Sequence, residues 1–258
     1  MINWLLSLPT VLIVVVVLAA TYAMAGVIYL VVMGLSASGR ANTFTSLSPG
    51  LLSPLGVVFG LIVAFLASGI WSNASIAQTA VNTEASSMRA AVLLSDVFSE
   101  STRREMRILV SHQVEEDVKV DWPAMRNGTA SLQSVPGPLR SALLLAFHLH
   151  PHGSGEIEAQ RQLVSQIQSA LDARRERIIV SHSQINAVKW FGVIALGFLL
   201  LAYIACMHAA QRGTAMIALA IFATAVGLSL ILILSQDRPF TGPFGIKPAP
   251  LQDIRMTA

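Results

Sequence analysis

No aspartate, glutamate, lysine or arginine occurs before Arg40, and none occurs between Arg40 and Glu84. In a bilayer, an apolar run of about 20 residues must be helical, because only a helix satisfies its own backbone where no water is available. The chain is 54% hydrophobic and 12% charged, about half the charged share of an ordinary soluble domain. This excludes an ordinary cytosolic enzyme and identifies an integral membrane protein. The 17 Lys and Arg exceed the 14 Asp and Glu only slightly. That small excess suits the flanks of membrane helices and not a nucleic-acid surface. Cys206 is the single cysteine, so no intrachain disulfide can form.

Four spans are expected, at about Pro9 to Leu35, Pro54 to Trp71, Val188 to Met207 and Thr214 to Leu234. Ser53 is placed to cap the second, with Pro54 as its first helical residue. The fold class is all-α, with four transmembrane helices and a helical soluble insert between the second and third. The expected divisions are 1–71 (spans one and two), 72–187 (insert), 188–235 (spans three and four) and a Pro/Gly-rich tail, 236–258. No helix breaker follows Trp71, so the second span is expected to continue out of the membrane. Met106, Val110, Val114 and Val118 mark a helix from Ser101 that Trp122-Pro123 should end, and Leu139, Leu143 and Phe147 mark a shorter one. Ile157, Val164, Leu171, Ile178 and Ile185 recur every seven residues and predict a narrow packing seam.

Arg89, Arg174, Arg175, Arg177, Lys189, Arg238, Lys247 and Arg255 fall on the side that carries the insert and both termini. Only Arg40 and Arg212 fall on the other. The positive-inside rule places the termini and the insert in the cytoplasm.

The interiors of the spans hold no ionisable residue, which argues against a proton-coupled or ion-coupled transporter. Gly56, Gly60, Ala64 and Ser68 form a small-residue row on the second span and are expected to pack helices closely. Leu55, Phe59, Ile62, Leu66 and Ile70 form a separate bulky stripe. The stripe either packs within the chain or lines an oligomer axis as a hydrophobic constriction, with Leu55, Phe59, Ile62 and Leu66 as the pore-lining candidates. Glu84 is a candidate buried carboxylate. His148, His150 and His152 sit in a Pro/Gly loop without a cysteine, which fits solvated histidines better than a zinc site. Glu115, Glu116, Asp117 and Asp121 lack the ligand order of a calcium loop and are read as a solvated helix end. No nucleophile elbow, phosphate loop or dinucleotide fingerprint is present, so neither an enzyme nor a cofactor is indicated.

Leu52-Ser53-Pro54-Leu55-Gly56-Val57-Val58-Phe59-Gly60-Leu61, Thr83-Glu84-Ala85, Trp122-Pro123-Ala124-Met125 and Arg238-Pro239-Phe240-Thr241-Gly242 occur in this order. Together they resemble the bacterial bestrophin-like membrane proteins. The resemblance covers nearly the whole chain. It implies a pentameric, ion-conducting homo-oligomer in a bacterial inner membrane, with anions as the permeant class known for bestrophins. The acidic calcium clasp near the bestrophin C-terminus has no match here. The alternative is a non-conducting scaffold or sensor whose insert recruits a partner.

Overall fold

The computed structural model describes residues 9–37, 49–133, 135–242 and 245–254. Residues 1–8 of the expected first division and 243–244 and 255–258 of the tail lie outside them, as do Arg40 and Arg255. All the regular structure among the described residues is helical: α1 (Thr10–Leu35), α2 (Leu52–Ser95), α3 (Glu100–Glu116), a π turn (Asp117–Asp121), α4 (Trp122–Asn127), α5 (Gly137–Phe147), α6 (Ser154–Ser181), α7 (Ala187–Met207), α8 (Arg212–Ser235) and α9 (Ala249–Gln252). Four of these, α1, α2, α7 and α8, are long and apolar enough to cross a membrane.

The chain divides into a membrane unit, 1–71 with 184–237, and a second unit, 72–183 with 238–258. In the membrane unit α1 packs against α7 and α8, which also pack against each other. The closest approaches are at two glycines. A Cβ on Gly227 of α8 would lie 2.9 Å from both Leu18 and Thr21 of α1, and one on Gly197 of α7 would lie 3.1 Å from Val226. The Thr21 hydroxyl is returned to its own helix, donating to the Leu18 carbonyl at 2.9 Å, so no polar hydrogen is stranded there. A 3-10 turn, Pro49–Leu51, leads directly into α2. The helix therefore starts before Ser53, which is not its cap. Pro54 stays within the first turn, where its missing N–H has no helical partner to lose.

In the second unit, Ser99 caps α3 by accepting from the Thr102 N–H at 3.3 Å. Trp122-Pro123 does not end this helix. Proline would clash with the carbonyl four residues back in a regular α-helix. Here the π turn widens the ladder, the Trp122 N–H reaches Asp117 O, and the chain continues as α4 until Gly128, which adopts φ 70°. The tail is not a separate segment. Phe240, Leu251 and Ile254 are buried in the core of the second unit. Phe240 meets Trp122 edge-on with ring centroids 5.4 Å apart, and the Trp122 indole N–H donates to Ile246 O at 3.3 Å.

The buried faces of α3 and α6 differ from the expected rows for one geometric reason. A strict four-residue step precesses by about 40° per step on a 3.6-residue helix, and a seven-residue step by about 20° in the other direction. On α3 and the π turn the buried face runs Met106, Val110, Gln113, Val114, Asp117, Asp121, and Val118 is half-buried at its edge, packed against the same core. On α6 it includes Leu163, Ile167, Ala170, Arg174, Arg177 and Ser181; of the expected row, Ile178 is buried and Val164 and Leu171 pack against the same core, whereas Ile157 is exposed and Ile185 lies beyond the helix.

Candidate functional site

Five charged side chains meet in the core of the second unit: Glu84 from α2, Asp117 and Asp121 from the π turn, and Arg174 and Arg177 from α6. Arg174 holds Asp121 with one edge of its guanidinium, Nε to Oδ2 at 2.7 Å and Nη2 to Oδ1 at 3.0 Å. Arg177 is completely buried. Its Nη2 donates to Glu84 Oε1 at 3.0 Å and to Asp117 Oδ1 at 2.8 Å. Its Nε pairs with Glu84 Oε2 at 2.7 Å, an ion pair without an aligned hydrogen bond. The guanidinium carbon also lies 5.1 Å from the centroid of the Trp122 ring, whose face attracts a cation.

Burial pushes the Glu84 carboxyl above its ordinary range, and the Arg177 charge opposes that shift. Burial pushes Asp117 well above its ordinary range, with Glu84 adding to the effect. For Arg177, burial alone favours the neutral form, but the facing carboxylates outweigh it and keep the guanidinium charged. Asp117 and Asp121 are thus corrected from a solvated helix end to core positions. Glu115 and Glu116 stay half-buried, with Glu115 paired to Lys119. Arg174 and Arg177 are likewise removed from the set of membrane-flanking cations.

The two faces of α2 are equally unlike. Leu55, Ile62 and Leu66 are half-buried and Phe59 is buried, all packed into the apolar core of the membrane unit. Phe59 lies where a Cβ on Gly197 would sit 3.7 Å from its ring. Within one protomer Leu55, Phe59, Ile62 and Leu66 thus follow the packing alternative, turned towards the chain's own core. Bulky apolar groups are drawn to α7 because that is where the chain's own core forms. The small-residue row lies on the other side, with Gly60, Ala64 and Ser68 exposed and Gly56 half-buried. A Cβ on Gly56 or Gly60 would meet nothing within 4 Å, so these glycines bring no helix of the same chain close.

At 100° per residue, Val57, Leu61, Ala64, Ser68, Ser75, Thr79, Asn82, Ser86 and Leu93 fall within about 40° of one line along α2. All of them are exposed. Glu84 lies on the opposite side of the helix. Arg89, the other charged residue of α2, is exposed at the edge of this row, about 40° from Val57, and donates to Pro250 O at 3.0 Å.

The sequence matches the bestrophin-like domain over residues 19–251. The chain belongs to the bestrophin-like family. A crystal structure of a bacterial bestrophin homologue from Klebsiella pneumoniae, carrying one substitution, has the same fold at 12% identity. The match covers 94% of this chain and 96% of that one, with a TM-score of 0.72. No protein of curated function matches the sequence.

In this bestrophin-like chain the histidine loop is exposed. His148 Nδ1 lies 2.6 Å from Leu144 O, and the His152 N–H donates to Glu156 Oε2 at 2.7 Å. Among the described residues, no group of three or more His, Cys, Asp or Glu side chains is arranged to hold a metal ion. Sequence reasoning missed Arg174 and Arg177 as core residues and Gly197 and Gly227 as packing glycines. The i, i+3 spacing of Arg174 and Arg177, opposite the i, i+4 pair Asp117 and Asp121, was the available signal.

Proposed function

We propose that this bestrophin-like protein is a homo-oligomeric ion channel whose path is lined by the exposed side of α2 that carries Val57, Leu61, Ser75 and Thr79. The observation that carries the reading is that row itself. Its first part, Val57, Leu61, Ala64 and Ser68, is apolar or small, and its second, Ser75, Thr79, Asn82 and Ser86, is hydroxyl and amide. A water-facing helix surface ordinarily carries Lys, Glu, Arg or Asp. A lumen wets where neutral polar groups line it and dewets at an apolar constriction. The apolar ring of Val57 and Leu61 takes the role of the hydrophobic constriction. A pentamer and anion permeation follow from the resemblance to bestrophins. The Lys and Arg distribution supports an inner-membrane location with termini and insert in the cytoplasm.

The test is flux of chloride and of potassium through purified protein in liposomes. Leu61→Ser should raise the flux. With Cys206 replaced by alanine, a charged thiol reagent should reduce flux through Ser75→Cys and Ser86→Cys, and not through the control Gln162→Cys on exposed α6 surface. Well-folded oligomers that pass neither ion would favour the scaffold. Modification at Ser75→Cys without a change in flux would remove the row from the path.

A further inference from the structure

We propose that Asp117 is a proton-binding site, the neutral member of the buried five-residue cluster, and that its single proton links the stability of the second unit to pH. Three carboxyl groups face two guanidinium groups in a core where Glu84, Asp117 and Arg177 are completely buried. Two of the acids occupy complete guanidinium edges. Asp121 takes Nε and Nη2 of Arg174, and the two oxygens of Glu84 lie against Nη2 and Nε of Arg177.

Asp117 has only a share of what remains. Its Oδ1 accepts from Arg177 Nη2 at 2.8 Å and from Gln113 Nε2 at 3.0 Å. Its Oδ2 is buried without a partner, and so is Gln113 Oε1. A buried, unpaired carboxylate oxygen carries the full penalty of lost hydration, whereas a protonated carboxyl is neutral and gains a donor.

The charged groups facing Asp117 are Glu84 from α2, Asp121 from its own turn, and Arg174 and Arg177 from α6. α4 contributes Trp122 and Met125, which carry no charge. α5 and α9 bury apolar side chains in the same core. With the proton bound, two negative charges balance two positive ones. Without it, a third negative charge stands against Glu84 and weakens the contact between α2 and α6.

The folded chain therefore binds this proton more tightly than the unfolded chain does. Stability is complete below the ordinary carboxylate range and falls as pH rises through the raised range. The experiment is thermal unfolding of the full-length protein in detergent between about pH 5 and pH 10, with Asp117→Asn as the neutral mimic. The wild type should lose several degrees of Tm towards alkaline pH. Asp117→Asn should remove that dependence and unfold above the wild type at the alkaline end.

Infrared spectra of the wild type at neutral pH keep the proposal testable if the variant fails to fold. They should show a protonated carboxyl band that shifts on carbon-13 labelling of aspartate. Absence of the band, a shift only on labelled glutamate, or an unchanged pH slope in Asp117→Asn would each overturn the assignment.

Discussion

The membrane unit closes its core with two glycines and uncharged side chains, whereas the second unit closes its core around Glu84, Asp117, Asp121, Arg174 and Arg177. The difference follows from the solvent each chain segment is expected to leave. In lipid, burying one apolar group against another brings little hydrophobic gain, so van der Waals contact at close approach supplies the attraction. Glycines at 197 and 227 permit it. In water, hydrophobic burial drives the second unit together, and a small number of charges can enter if each is paired. Such a cluster is weak evidence for extra stability, since well-packed apolar side chains often do as well. What it supplies is intolerance of partial loss, because removing one member strands the others.

The largest effect that sharpens this contrast is expected at Arg177. Arg177→Met leaves three buried acids facing one arginine, and breaking a buried pair costs about 3–5 kcal/mol. Limited proteolysis within 72–183 should accelerate, while thermal unfolding shows whether the membrane unit survives. A variant as resistant as the wild type would mean that the cluster is dispensable.

Phe59→Ala tests the other core. It removes a buried ring packed near Gly197, a change that costs roughly 3 kcal/mol in a core that cannot collapse. Loss of thermal stability in detergent without a rise in ion flux is expected. A stable variant with raised flux would return Phe59 to the pore.

Two glycine variants give the smaller effects. Gly227→Ala forces a Cβ to within 2.9 Å of Leu18 and Thr21 and should cost about 1–3 kcal/mol by overpacking. Gly60→Leu adds bulk where the protomer offers open space. It should leave unfolding of the protomer almost unchanged while lowering the subunit number measured by native mass spectrometry. Equal effects at the two positions would erase the distinction between glycines that pack the chain and a glycine that faces a neighbour.

The four apolar spans were legible because about 20 residues without charge have one solution in lipid. The continuity of α2 was legible from the lack of a breaker after Trp71. The inward direction of Phe59 was not, since periodicity separates two faces of a helix without saying which one meets α7. The row Met106, Val110, Val114, Val118 correctly marked a helix, but its four-residue step drifts across the buried face, so Val118 ends half-buried while Asp117 beside it is fully buried.

Sequence alone determined the helical class, the four apolar candidate spans and the charge-free length of α2 from Ser53 to Thr83. Each of these depends on composition and local period, which a chain carries whatever its partners are, whereas the bestrophin-like family is read from the match over residues 19–251. Tertiary structure decided which side of α2 stays exposed, that Gly197 and Gly227 are the packing glycines, that Phe240 and Leu251 of the tail complete a core, and that three acids share two arginines. These depend on which surfaces meet across 53 to 161 positions of chain, as Arg174 meets Asp121 and Arg89 meets Pro250. A charged residue read by itself belongs in water. Only the facing residue makes its burial tolerable.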